Sequence, residues 1–241
     1  MTNFRTARYL PMLAILAMLA AAIGLAGCAA VPSKVDPLEP MNRVLYTVHD
    51  AVDTAVMKPI AETYVATVPS LVRTGVSNFF NNIDDLFSAL NGMLQGKPDK
   101  AGNDFGRVML NTGFGVGGIF DLASQIGIER GNEDFGQTFG VWGFAQGPYL
   151  FIPLIGPSTF RDGSGLVVRA ALGPIGYINE EAVRYSLYVL GAVDIRARLL
   201  DTSTLIDQAA LDKYVFIRNA YLQRRRYLLY DGKPPPEPEE E

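Results

Sequence analysis

One cysteine and one histidine stand among 241 residues, and their scarcity closes off several chemistries. A single thiol cannot form an intrachain disulfide, and Cys28 with His49 cannot assemble a Cys/His zinc site. A serine-histidine-carboxylate machine would have to rest on His49 alone, and Gly163-Ser164-Gly165 lacks the full G-x-S-x-G elbow of a nucleophilic serine. A lipid hydrolase is therefore disfavoured. Charge is also scarce, at 19% of residues, below the usual quarter. The net charge of −4 falls to −6 once residues 1–27 are removed, because they hold Arg5 and Arg8 and no acid. Nothing there supplies the basic field that nucleic-acid binding needs. No metal, cofactor or nucleic acid is expected.

What is present begins with an address. A basic start carrying Arg5 and Arg8 leads into an uncharged, apolar run from Leu10 to Gly27, as in a cleaved leader. It ends in Leu25-Ala26-Gly27-Cys28, which looks like a bacterial lipobox, with Cys28 the acylated first residue of the mature chain. The alternative is an uncleaved N-terminal anchor with an incidental thiol. Residues 1–27 are read as a lipoprotein signal peptide and 28–40 as the acylated cysteine and an extended tether. Residues 41–230 are read as a helical domain and 231–241 as a Pro/Glu-rich tail. Ala29 and Ala30 follow the cysteine, with no aspartate directly after it to resemble an inner-membrane retention signal, which points to the outer membrane.

The helical domain shows three- and four-residue apolar periods. Met41, Leu45, Val48, Val52 and Val56 predict a helix over 41–57 that ends before Pro59. Ser70 is expected to cap a second helix, Asn82 a third that stops at Gly96, and Asn179 a long one running toward Leu200. A last helix covers roughly 204–230. Few alternating strand patterns occur, so the fold is expected to be mainly α.

Residues 135–160 are 26 consecutive positions without a charge, yet they hold five glycines and three prolines. One straight spanning helix is untenable there. Two readings remain, buried loops of a soluble core or a Gly/Pro-rich apolar hairpin partly sunk in a membrane, where broken backbone must be buried or line a cavity. Gly113 to Gly118 satisfies G-x-G-x-x-G, but no strand precedes it and no βαβ unit surrounds it, so tight turns or close contact are expected. The acid pairs Asp84–Asp85, Glu133–Asp134 and Glu180–Glu181 read as helix caps, since neighbours on a helix point about 100° apart. His49 reads as part of a polar helix face. Arg224-Arg225-Arg226 reads either as a solvated face or as a contact for anionic headgroups.

Asp36-Pro37-Leu38-Glu39-Pro40-Met41-Asn42-Arg43 opens a series of motifs that continues with Asn78-Phe79-Phe80-Asn81-Asn82 and Leu94-Gln95-Gly96. Glu133 to Thr138, Trp142-Gly143, Gly147-Pro148-Tyr149, Gly156 to Thr159 and Arg161-Asp162 follow. In this order, over about 36–230, they resemble the MlaA/VacJ lipoprotein family. Val48-His49-Asp50 departs from the Phe-Asn-Asp common there, and the acidic tail is short. The resemblance implies a ring-shaped, membrane-embedded helical lipoprotein in the inner leaflet of the outer membrane, beside a trimeric porin. Its amphipathic channel would pass misplaced phospholipids from the outer leaflet to a periplasmic carrier, maintaining lipid asymmetry without covalent chemistry. The expected channel gate is the hairpin segment Trp142, Gly143, Phe144, Gly147, Pro148 and Tyr149, with Gly143 and Gly147 as hinges that proline would stiffen. The alternative is an envelope scaffold that organises porins and conducts no lipid.

Overall fold

The computed structural model describes residues 35–236, so Cys28, the leader and most of the tether lie outside the described residues. The chain runs through α1 (Glu39–Val52), a π-helical turn (Asp53–Met57), α2 (Lys58–Thr67), α3 (Ser70–Leu94) and α4 (Pro98–Gly113). Short helices α5 (Leu122–Gln125) and α6 (Phe135–Val141) lead to a hairpin of β1 (Tyr149–Ile152) and β2 (Gly156–Thr159). Then come α7 (Phe160–Leu172), a 3₁₀ turn (Pro174–Tyr177), α8 (Glu181–Arg198), α9 (Leu200–Ala209) and α10 (Lys213–Leu229). The fold is mainly helical, as the periods imply.

Several boundaries differ from expectation, each for a local reason. Pro59 does not end the first helix. Its missing N–H would break an ordinary turn, and the backbone instead widens into the π turn at 53–57 and restarts with Pro59 in the first turn of α2. Asp53 in that turn receives a forked pair of hydrogen bonds from Arg196 of α8, at 2.6 and 2.8 Å. Asn82 caps nothing: α3 is one 25-residue helix, and Asn82 is buried within it, donating to Thr112 Oγ1 at 2.8 Å. Ser70 is its first residue and makes no cap bond. Gly96 does stop α3, with Lys97 N–H bonded to Gly92 O and Gly96 N–H to Met93 O. Glu180, not Asn179, stands at the N-cap of α8. The single helix expected over 204–230 is two, because Ala210 is extended and Asp212 accepts the Val215 N–H to start α10 afresh.

Asp36 is fully buried and α1 begins at Glu39, so the described end of the expected tether is packed rather than extended. Asn42 explains how. Its Nδ2 donates to Asp36 Oδ1 and to Tyr149 O, both at 3.0 Å, and its Oδ1 accepts the Phe151 N–H at 2.9 Å. One buried amide thus clasps the N-terminal segment to β1. Tyr214 donates to Asp36 Oδ2 from the other side. Beneath the clasp lies the apolar cluster of Leu45, Tyr149, Phe151 and Tyr214, with Tyr46, Tyr221 and Leu222 packed against it. β1 and β2 pair antiparallel, Tyr149 opposite Thr159 and Ile152 opposite Gly156. His49, read as a polar face, instead accepts the Leu154 N–H on Nδ1 at 3.1 Å and packs its ring on Phe151. Burial lowers its pKa, which keeps the ring a neutral acceptor.

α3 and α4 form an antiparallel pair sealed by charge. Arg107 uses every donor it has: Nε to Asp85 at 2.9 Å, Nη1 to Ser124 Oγ and Ile128 O, Nη2 to both oxygens of Asp121. Asp85 is therefore the buried partner of Arg107 and Arg130 rather than a cap. Glu133 is likewise buried, against Lys97 and Lys100, and of the three acid pairs only Asp134 caps by its side chain, accepting the Gln137 N–H. The glycine-rich 113–118 segment is turns and close contact, Gly117 and Gly118 having positive φ and Gly118 lying against Asn82.

Candidate functional site

The uncharged stretch folds as α6, a connecting loop and the β hairpin. Its loop is anchored at several points. Trp142 Nε1 donates to Leu94 O at 3.1 Å, tying the loop to the end of α3. Gly143 has φ +90° and closes α6, its N–H bonding Gly140 O while the Phe144 N–H bonds Phe139 O. Gly147 has φ +69°, and a Cβ there would stand 2.8 Å from Phe160 Cβ. Gln146 O and Pro148 O accept the N–H groups of Arg161 and Phe160 at the start of α7. Trp142 and Phe144 are exposed, whereas Tyr149 is buried to 1%. The positive φ values correct one expectation: proline, fixed near −65°, cannot occupy either glycine position and would break the loop rather than stiffen it.

A cavity of about 620 Å³ opens between this loop and α10, with room for about twenty water molecules. Gly140, Gly143, Phe144, Gln146, Gly147 and Tyr149 line one side, so four of the six expected gate residues border it. Leu222, Gln223, Arg225, Arg226, Leu229 and Tyr230 line the other, with Arg161 and Val35 completing the wall. Apolar and cationic groups share this surface.

Arg225 is not on a solvated face. Its Nη1 and Nη2 reach Asp134 at 2.5 and 2.9 Å, and Nη2 also reaches Asp162 at 2.9 Å, joining α10 to both α6 and α7. Asp162 further accepts the Tyr221 hydroxyl at 2.7 Å. The sequence reading passed over these roles, although the signal was present. Tyr214, Arg218, Tyr221, Leu222, Arg225 and Leu229 recur at helical spacing, which sets Arg225 in phase with the inward aromatics and Arg224 and Arg226 out of it.

The distribution of polarity is inverted relative to an ordinary soluble core. Among the described residues, buried polar and charged residues outnumber buried apolar ones, while a long series of large apolar side chains is exposed. Leu71, Phe114, Val116, Ile126 and Val167 are each more than 60% exposed. Where such side chains adjoin, they present the kind of surface used in protein or membrane contacts. No helix among the described residues is long and apolar enough to cross a membrane.

A family model described as "MlaA lipoprotein" matches residues 34–228. The intermembrane phospholipid transport system lipoprotein MlaA of Haemophilus influenzae is 34% identical over 240 residues, covering 91% of each chain. The protein of the same name from Escherichia coli K12 is 31% identical, covering 84% of this chain and 81% of its own. A solved structure from work on the structural basis for maintenance of bacterial outer membrane lipid asymmetry superposes with a TM-score of 0.71. At 31% identity it covers 80% of this chain and 98% of that one.

Proposed function

This chain belongs to the MlaA lipoprotein family, and from that premise we propose that it draws misplaced phospholipids out of the outer leaflet of the outer membrane. Acylation of Cys28 would supply the anchor. Each buried methylene contributes about 0.8 kcal/mol, so several chains hold where one alone exchanges. The helical body sits in the inner leaflet as a ring, its exposed apolar side chains in lipid and its polar interior around the path. A trimeric porin is its neighbour and a periplasmic carrier receives the lipid. The hairpin loop from Trp142 to Tyr149 gates the way in. No covalent reaction is assigned.

The observation that carries this reading is the pairing of an apolar exterior with an amphipathic cavity. A phospholipid has a charged head and apolar tails, and its route must offer both kinds of contact. A scaffold that merely organises porins needs the apolar exterior alone.

Photochemical capture in living cells separates the two. A photoactivatable residue at Gln223, on the cavity wall, is expected to yield phospholipid adducts that diminish when excess phospholipid no longer reaches the cell surface. An adduct yield that never changes with outer-leaflet phospholipid would favour the scaffold.

A further inference from the structure

We propose that this cavity reads the lipid phosphate, with the Arg161 guanidinium taking a phosphodiester oxygen. The proposal rests on the lipid-transport reading and names the group that would recognise the headgroup.

Arg161 stands in the first turn of α7 with its side chain only 6% exposed. Burying a guanidinium is costly unless its donors are matched. Among the described residues its side chain has one partner, Asp162, from Nε at 3.3 Å. That carboxylate is already engaged by Arg225 and Tyr221 at shorter distances. Both Nη groups of Arg161 are left with no protein acceptor among the described residues. The same fold shows how it treats a structural buried arginine, since Arg107 has all its donors satisfied. Arg161 is held in reserve, at the wall of a cavity. α6 even leaves a notch for it, because a Cβ on Gly140 would lie 2.8 Å from Arg161 Nη1.

The Nη donors of Arg161 border this space without a partner among the described residues, and a ligand rich in acceptors would satisfy them. Arg offers the forked geometry that matches phosphate oxygens. Phe144, Leu222 and Leu229 would take the first part of the acyl chains.

The test uses the purified full-length lipoprotein in nonionic detergent, titrated with dioctanoyl phosphatidylglycerol, with dioctanoylglycerol and with inorganic phosphate. The phospholipid is expected to bind about tenfold or more tighter than the diacylglycerol, the order of one charge-assisted hydrogen bond. Arg161→Gln should abolish that preference while leaving diacylglycerol affinity unchanged, and Arg161→Lys should restore it only in part. Tyr149→Phe removes a hydroxyl enclosed away from the cavity and is the control that should leave phospholipid affinity unchanged. If Arg161→Gln fails to fold, Arg161→Lys decides, since an ammonium cannot offer the same fork and should weaken the preference. Wild-type phospholipid affinity in folded Arg161→Gln, or an undiminished preference in Arg161→Lys, would overturn the proposal. So would inorganic phosphate that binds as tightly as the phospholipid, which would make this a free-phosphate site. In cells, surface phospholipid that rises on deletion but is fully corrected by Arg161→Gln would overturn this site alone. No rise on deletion would remove the transport reading beneath it.

Discussion

Asn42 shows how much one buried amide can organise. It satisfies Asp36, the Tyr149 carbonyl and the Phe151 N–H at once, across more than a hundred residues of sequence. Asn42→Ala would strand both backbone groups and is expected to cost about 2–4 kcal/mol, read as a lowered Tm, since each buried unmatched group carries about 1–3 kcal/mol. Its presence in the opening motif was legible in the sequence. Its partners were not, because nothing local specifies what an asparagine meets so far along the chain. Arg225 carries the same lesson, hidden inside a run of three arginines although its helical phase set it apart. Asp121 permits a pH prediction. Burial opposes its ionisation, but hydrogen bonds from Ser124, Arg107 and Asn111 outweigh that and hold its carboxyl down to about 2. A depressed carboxylate contributes stability that is full above its unfolded value near 3.8 and is lost as pH falls through about 2. Asp121→Asn should therefore flatten the loss of stability over that interval in acid denaturation.

At the level of elements, α6 and α7 meet so closely that no side chain fits between them. A Cβ on Gly165 would lie 2.6 Å from Gly136 N and 3.0 Å from the Phe135 carbonyl carbon. These are backbone atoms that cannot swing aside. Gly165→Ala is expected to destabilise by about 1–3 kcal/mol through overpacking, even though alanine is the better helix former by about 1 kcal/mol. Thermal unfolding of the purified variant checks it. The loop after α6 offers a second test. Gly143→Ala meets no neighbour but must adopt φ +90°, whereas Gly147→Ala also collides with Phe160. Strain of about 1 kcal/mol or more in each should shift surface phospholipid at unchanged protein level if the loop gates the path. Unchanged surface lipid in both variants would leave the loop a fixed wall. Helical periodicity made α1, α3, α8 and the span of α9 and α10 visible, but not α2, α5, α6, α7 or the β hairpin. The π turn at 53–57 and the break at 210–212 were also hidden, because the pattern of apolar residues continues across both.

For the whole molecule, periodicity reported which face of a helix is apolar and was silent on what that face touches. Val48, Val52 and Val56 share the apolar stripe of Leu45, yet only Leu45 is buried and the valines are exposed. Such a stripe is free to meet a partner or a lipid surface. The interior holds Asp85, Asp104, Arg107, Gln137 and Thr138 instead. The central claim, removal of phospholipid from the outer leaflet by an anchored chain, is tested most directly by one measurement. Phospholipid exposed at the cell surface is quantified by a surface-restricted acylation or phospholipase assay with and without this chain. The account predicts a rise on deletion that wild type reverses and Cys28→Ala does not. Surface phospholipid unchanged on deletion, in cells that otherwise express the chain normally, would contradict it.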